Sequence, residues 1–382
     1  MDTKKFMEGY LLSGMYGEAR VLSELPYNEI STLSKGHGRK NMLRLSRIES
    51  LLTKGDPQSI QDCCDFIKVI NKKVNYLPLS SPKYPRRIEQ LVSFGVFPTT
   101  IHTIMTLYNY KLPVPKTYRR GEPIPPNVVS FNLKDALDLE DYINNIIDTN
   151  LGTFTMQGIW SRFIKHYPLI KYIHTHRDMF EEDGAEGCYL TEAEIKLHEN
   201  VNATIDTCCH ILRSLSYFRA YDGYALTKDK KFMEFMFEML MDDRHFSCGV
   251  YALEEIICCA NEFSSFDINE IIGKRFVEIV NSFGPYKFAA FTRVLIQLTY
   301  DNEAFSEPKK KGYDVLDRKK RDRNFRPIDV NHAIIMSIPN LFQKINKLLL
   351  SCKCIHGRSK SFHVRHIYVL FLFFFYRTGH IL

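Results

Sequence analysis

Several common signatures of catalysis and cofactor binding are missing from this chain. It has no Cys-x-x-Cys, no Gly-x-x-x-x-Gly-Lys phosphate loop and no Gly-x-Ser-x-Gly elbow. These absences argue against a thioredoxin-type redox centre, a nucleotide-phosphate cradle and a hydrolase nucleophile respectively. No alternating apolar run of strand type stands out, so a substantial β-sheet is not expected. The strongest apolar stretch, HIYVLFLFFFY at 366–376, falls far short of the ~20 residues that a spanning helix needs, so no membrane span is expected. Met1-Asp2-Thr3-Lys4-Lys5 is not followed by an apolar core of signal-peptide type. Tryptophan occurs once, at Trp160.

The chain is otherwise ordinary in bulk. Hydrophobic residues make up 45% and charged residues 25% of 382 positions, the balance of a globular protein with a large core. The net charge of +7 is local. Residues 309–326 hold nine Lys or Arg against Asp314, Asp317 and Asp322, so the rest is nearly neutral. Nucleic acid is therefore not expected as the main partner of the body. Ten cysteines include three adjacent pairs, Cys63-Cys64, Cys208-Cys209 and Cys258-Cys259. Neighbours on a helix point about 100° apart, which suits a buried face and not a bridge within the pair. Without a secretory disulfide pattern, a reducing, cytoplasmic setting is expected.

Helical signals follow one another along the chain. Met42, Leu45, Ile48, Leu51 and Leu52 form a stripe that Gly55 ends. Asp56-Pro57 caps and opens the next helix, with Ile60, Cys63, Cys64, Ile67 and Ile70 as its stripe. A helix over 86–94 is broken by Gly95, and one restarting at Pro98 carries Ile101, Ile104, Met105 and Tyr108. Pro113, Pro115, Pro123, Pro125 and Pro126 stop helix formation and predict an exposed loop over 111–130. Helix returns at 133–147, and the acidic run Glu181-Glu182-Asp183-Gly184 reads as a second loop. Thr191-Glu192-Ala193-Glu194 resembles a capping box. Helices at 230–241, 250–260, 271–280 and 288–300 follow. Leu212, Phe235, Leu240, Leu253, Ile257 and Leu295 are expected in their shared core. Helices of this length cannot each bury a face alone, and stacking solves that. The expected fold is all-α, an armadillo/HEAT-like helical solenoid. Its expected division is an N-terminal segment (1–38), helical pairs (39–109), a Pro-rich loop with an inserted helical region (110–190), the main array (191–303), a basic linker (304–327), a further helix (328–351) and an atypical tail (352–382).

Three stretches, KKFMEFMFEMLMDDRHFSCGVYALEEII, KFAAFTRVLIQLTYDNE and VNHAIIMSIPNLFQKINKLL, the last through Ser337-Ile338-Pro339, resemble the family of the transient receptor potential channel 4-associated protein. LVSFGVFPTTIHTIM, residues 91–105, is a fainter match. Together they cover less than half of the chain, and they resemble the family's N-terminal half. The region through residue 187 looks like an insertion, and the far C-terminus departs from the family. The resemblance implies an armadillo-like cytosolic protein that recognises substrates for a cullin-4 ubiquitin ligase through the damage-specific DNA-binding adaptor. It further implies links to tumour necrosis factor receptor signalling and to the cytoplasmic segments of calcium channels.

Each cluster with chemical capacity has a bland counterpart. Cys352, Cys354, His356, His363 and His366 offer zinc-type ligands, yet their spacing matches no zinc finger, and Lys353, Arg358, Lys360 and Arg365 add positive charge. No metal is assigned to them. His174, His176, Asp178 and Glu181 read as the polar end of a helix and its loop. Lys309, Lys310 and Lys311 with Arg318, Lys319, Lys320 and Arg321 read either as a nuclear import or nucleic-acid-contacting segment, or as a wet linker between helices. The first would place the protein in or around the nucleus and make it a helical-repeat nucleic-acid or transport module. No catalytic residue and no cofactor are expected. The function expected from residues and resemblance together is a non-catalytic scaffold.

Overall fold

The computed structural model describes residues 47–75, 92, 95–150, 166–182, 184–261, 264, 266–302, 325–327 and 330–354. The described part is mostly helical, of the all-α class. Helix α1 (47–54) ends at Gly55, whose φ of 67° is the left-handed conformation expected of a helix terminator. Asp56 caps α2 (Pro57–Asn75): its Oδ1 accepts from the Ser59 amide at 3.0 Å and its Oδ2 accepts from the Ser59 hydroxyl at 2.6 Å. The five predicted stripe residues of α2 are all buried. Gly95, at φ 84°, then leads into α3 (Val96–Tyr108). That helix begins two residues before Pro98, which sits in its first turn where no amide is required. Its inner face is rotated from the predicted one: Phe97 and Leu107 are buried, while Met105 and Tyr108 are only half-buried.

The proline-rich stretch is not simply a loop. β1 (Lys116–Arg119) and β2 (Val128–Asn132) flank β3 (Ala185–Thr191) in an antiparallel sheet of order β1-β3-β2. The prolines fall outside the strands, and both strands nearest them are sheet edges, where a missing amide does least harm. At Gly187 an added Cβ would lie 2.5 Å from the Phe131 carbonyl oxygen, so only glycine fits between the two edge strands. α4 (Leu133–Asn150), α5 (Tyr167–Thr175) and α6 (Arg177–Glu182) close over the sheet. A small second core joins them: Ala136, Leu169, Ile173, Phe180, Ala185, Cys188, Leu190 and Ile195. Glu181 and Glu182 thus end a helix, and the turn into β3 is made by Gly184 at φ 66°.

The capping box at Thr191 is present in full. The Thr191 hydroxyl accepts from the Glu194 amide at 3.3 Å, and Glu194 Oε2 accepts from the Thr191 amide at 2.8 Å. It opens α7 (Glu192–Phe218), 27 residues and roughly 40 Å long. α8 (Ala220–Leu226), α9 (Lys230–Met239) and α10 (Phe246–Asn261) follow. The single helix expected over 271–280 is two short ones, α11 (Ile268–Ile271) and α12 (Arg275–Asn281), parted by Gly273 at φ 52°. α13 (Pro285–Thr299) begins at its proline. α14 (His332–Met336) and α15 (Leu341–Cys354) complete the described part.

The long helices neighbour one another in a row: α2 against α7, α7 against α10, α10 against α13, and α13 against α15. α3 packs on α7, α8 on both α7 and α10, and α9 on α10, α11 and α12. One apolar core runs through this body from Ile48 to Leu348. Leu212, Leu240, Leu253, Ile257 and Leu295 are fully buried in it, as expected. Phe235 is half-buried and meets Tyr108 edge-on, ring centroids 5.3 Å apart.

Polar side chains fasten the joints. Asn331, fully buried, donates to the carbonyls of Phe266 at 2.6 Å and Leu298 at 3.1 Å, and accepts from the Ile268 amide at 2.9 Å. Asn261 donates to the Gln297 carbonyl and accepts from the Phe266 amide at 3.3 Å. β4 (Tyr300–Asn302) and β5 (Phe325–Pro327) pair antiparallel, so the two ends of segment 303–324 are held side by side. Among the described residues no helix is long and apolar enough to cross a membrane.

Candidate interaction groove

α10 is the centre of the row, and its 16 residues include none that is exposed. Its outward stripe, Ser247, Cys248, Tyr251, Glu254, Glu255 and Cys258, is half-buried throughout. An outward stripe loses exposure in this way when its neighbours stand higher than it does. α7 and α13 flank the stripe, with α8 also packed on α10, so it is the floor of a shallow groove between two long helices.

The middle of the groove is an aromatic ring between two cations. The Arg213 guanidinium from α7 lies 5.1 Å from the Tyr251 ring centroid, and that of Arg293 from α13 lies 5.0 Å from it. Arg293 also holds Glu254 by two bonds, Nε to Oε2 at 2.7 Å and Nη2 to Oε1 at 3.1 Å. This pair is only 12% and 14% exposed, and the fork geometry fixes the guanidinium plane against the ring.

Towards the start of α10 lies a denser polar knot. Asn202, Asp206 and His210 occupy successive turns of one face of α7. The His245 ring, 3% exposed, places Nδ1 2.9 Å from Asp206 Oδ1 and Nε2 3.2 Å from Asn202 Oδ1. Arg244 reaches the other oxygen of Asp206 at 3.3 Å. Cys248 Sγ is 3.7 Å from His210 Nε2. An acid, an imidazole and a thiol in this order invite comparison with a nucleophile set, but the electrostatics oppose it. Burial pushes the Cys248 thiol up to about 12, Asp206 adds to this, and Arg244 opposes it. Burial also holds the His210 imidazole below its usual value, against the pull of Asp206. The Asp206 carboxylate is engaged by His245 and Arg244. Thiol and imidazole therefore rest neutral, and the knot acts as a clamp between α7 and α10.

A third polar joint ties the small sheet-bearing unit to this body. Asp242 accepts from Tyr167 Oη at 3.1 Å, from Lys171 Nζ at 2.6 Å and from the Arg244 amide at 2.9 Å. Burial alone would raise its carboxyl. The Lys171 ammonium and His245 outweigh burial and hold the carboxyl below its usual range. Lys287 spans the neighbouring helix end, 2.6 Å from Asp243 Oδ1 and 3.2 Å from the Met241 carbonyl.

The residues singled out from the sequence do not assemble into a site. His174 faces Glu140 at 3.4 Å, His176 Nδ1 donates to the Tyr172 carbonyl at 3.0 Å, Arg177 pairs with Glu181 at 2.9 Å, and Asp178 is exposed in the first turn of α6. Cys63, Cys64 and Cys208 are fully buried where α2 meets α7, Cys209 is fully buried on the side of α7 that faces Cys248 of α10, and burial raises each thiol. Cys259 donates to the Ser216 carbonyl at 3.2 Å. Cys352 and Cys354 fall in the last turn of α15, which extends past the boundary expected at residue 351, while His356, His363 and His366 lie outside the described residues. So do Lys309, Lys310, Lys311, Arg318, Lys319, Lys320 and Arg321. Among the described residues no group of three or more His, Cys, Asp or Glu could hold a metal ion.

Compared with known proteins, the chain matches no family model, no curated protein and no solved structure. The groove itself was not read from the sequence. Tyr251 and Glu254 stood inside a helical stretch, and nothing local distinguishes an outward residue on a convex helix from one on a concave row.

Proposed function

We propose that this chain is a non-catalytic protein-binding scaffold with an armadillo/HEAT-like solenoid architecture, working in the cytoplasm. The observation that carries the reading is the groove over α10: a continuous outward stripe, half-buried by its two neighbours and lined with arginine and tyrosine. These two residue types are enriched where proteins grip one another. The row α2, α7, α10, α13, α15 supports the solenoid reading, because helices stacked in a row present an extended surface and not a single cleft.

The resemblance of the stretches around 230–257 and 330–349 gives the scaffold a context. On that basis we assign it to a cullin-4 ubiquitin ligase as a substrate-recognition subunit, joined through the damage-specific DNA-binding adaptor. Receptor or channel cytoplasmic segments are then the clients. Affinity purification of the tagged full chain from cells, read by mass spectrometry, tests this. The adaptor is expected above background. Recovery of RNA or import receptors with no ligase subunit would overturn the assignment and favour a role for the basic blocks in nucleic-acid binding or nuclear transport.

A further inference from the structure

The cations of the groove are not equivalent. Arg293 is paired with Glu254, Arg244 with Asp206 and Lys287 with Asp243. Arg213 is half-buried in the wall of the groove, held over Tyr251, and its guanidinium has no carboxylate among the described residues. A guanidinium carries five donors in a planar fork that matches a carboxylate bidentately. Here the fork is already oriented by the ring beneath it, so little ordering cost remains for a ligand to meet. Its neighbour on α7, His210, has its imidazole held below the usual value, by desolvation first and with Arg213 adding to it.

We propose that Arg213 reads a carboxylate of a peptide segment laid along α10. This rests on the scaffold reading and names the chemistry of its client, an extended segment bearing Asp or Glu. The length fits: the outward stripe from Ser247 to Cys258 gives a floor of roughly 17 Å, about five residues of extended chain. Tyr217, half-buried on α7 one turn after Arg213, and Tyr221, 61% exposed at the start of α8, continue the surface with aromatic contact area.

A fluorescein-labelled Glu-Ser-Glu-Ser-Glu-Ser-Glu peptide, titrated with the full chain and read by fluorescence anisotropy, tests the proposal. Saturable, salt-sensitive binding is expected, with none for the Gln-Ser counterpart. Arg213→Gln should weaken binding about tenfold or more, the loss of a charge-assisted pair, with its thermal melt unchanged. Arg213→Lys should fall between, because it keeps the charge and loses the fork. The proposal is overturned if the Gln-Ser peptide binds equally or if Arg213→Gln binds like wild type. It is also overturned if binding disappears only when Lys309–Lys311 and Arg318–Arg321 are all changed to Gln. Absence of peptide binding from a chain that still recovers the ligase adaptor would sink this inference alone.

Discussion

Asn331 offers the sharpest test of how the described helices are held in register. It sits before α14, fully buried, and its amide makes three hydrogen bonds to residues 33 to 65 positions away. The Leu298 carbonyl is one of the last of α13 and has no partner further along that helix. The Phe266 carbonyl and Ile268 amide bracket the start of α11. Asn331→Ala leaves one donor and two acceptors in a space sealed from water. At about 1–3 kcal/mol for each orphaned group, with some relief from a water entering the vacated volume, the net loss is roughly 3–5 kcal/mol. For a chain of 382 residues that lowers the melting temperature by roughly 4–6 °C. Asn331→Asp should be worse than Ala, although smaller in structural change, because its carboxylate would face the two carbonyl oxygens that the amide now serves. Thermal unfolding followed by circular dichroism measures both variants. An Ala variant that melts within about 2 °C of wild type, or an Asp variant more stable than the Ala variant, would refute the bonding pattern.

The Asp242 carboxyl is lowered in the folded protein, so it stabilises the fold above its unfolded value near 3.9, and that contribution is lost as pH falls through the lower folded value. Asp242→Asn should therefore destabilise at neutral pH, while the gap to wild type narrows in acid; a constant gap in urea unfolding from pH 7 to pH 3 would contradict the Lys171–Asp242–Tyr167 joint. Replacing residues 304–323 by a four-residue Gly-Ser linker should change stability by no more than about 1 kcal/mol, because β4 and β5 already hold the two ends together and shortening a loop changes its closure entropy only slowly. A loss of cooperative unfolding in that variant would show that the basic segment contributes to the folded core.

Most of the helices, and the way they start and stop, follow from local sequence alone. Asp56-Pro57, the Gly55 and Gly95 breaks, and the Thr191–Glu194 box act within a single turn of chain, so their chemistry is complete in the residues themselves. The apolar stripes likewise marked Leu212, Leu253 and Leu295 as core, since a 3.6-residue period needs no partner to be recognised. What failed was whatever depends on distant chain. β1 and β2 are short edge strands whose pairing partner, β3, comes more than fifty residues later, and prolines around them signalled only that no helix could form. The inner face of α3 turned toward Leu107 and away from Met105 because α7 fixes its rotation. The groove is the plainest case: Arg213, Tyr251, Glu254 and Arg293 come from three helices spread over eighty residues. Their meeting, and the concavity that half-buries them, exist only once α7, α10 and α13 lie side by side.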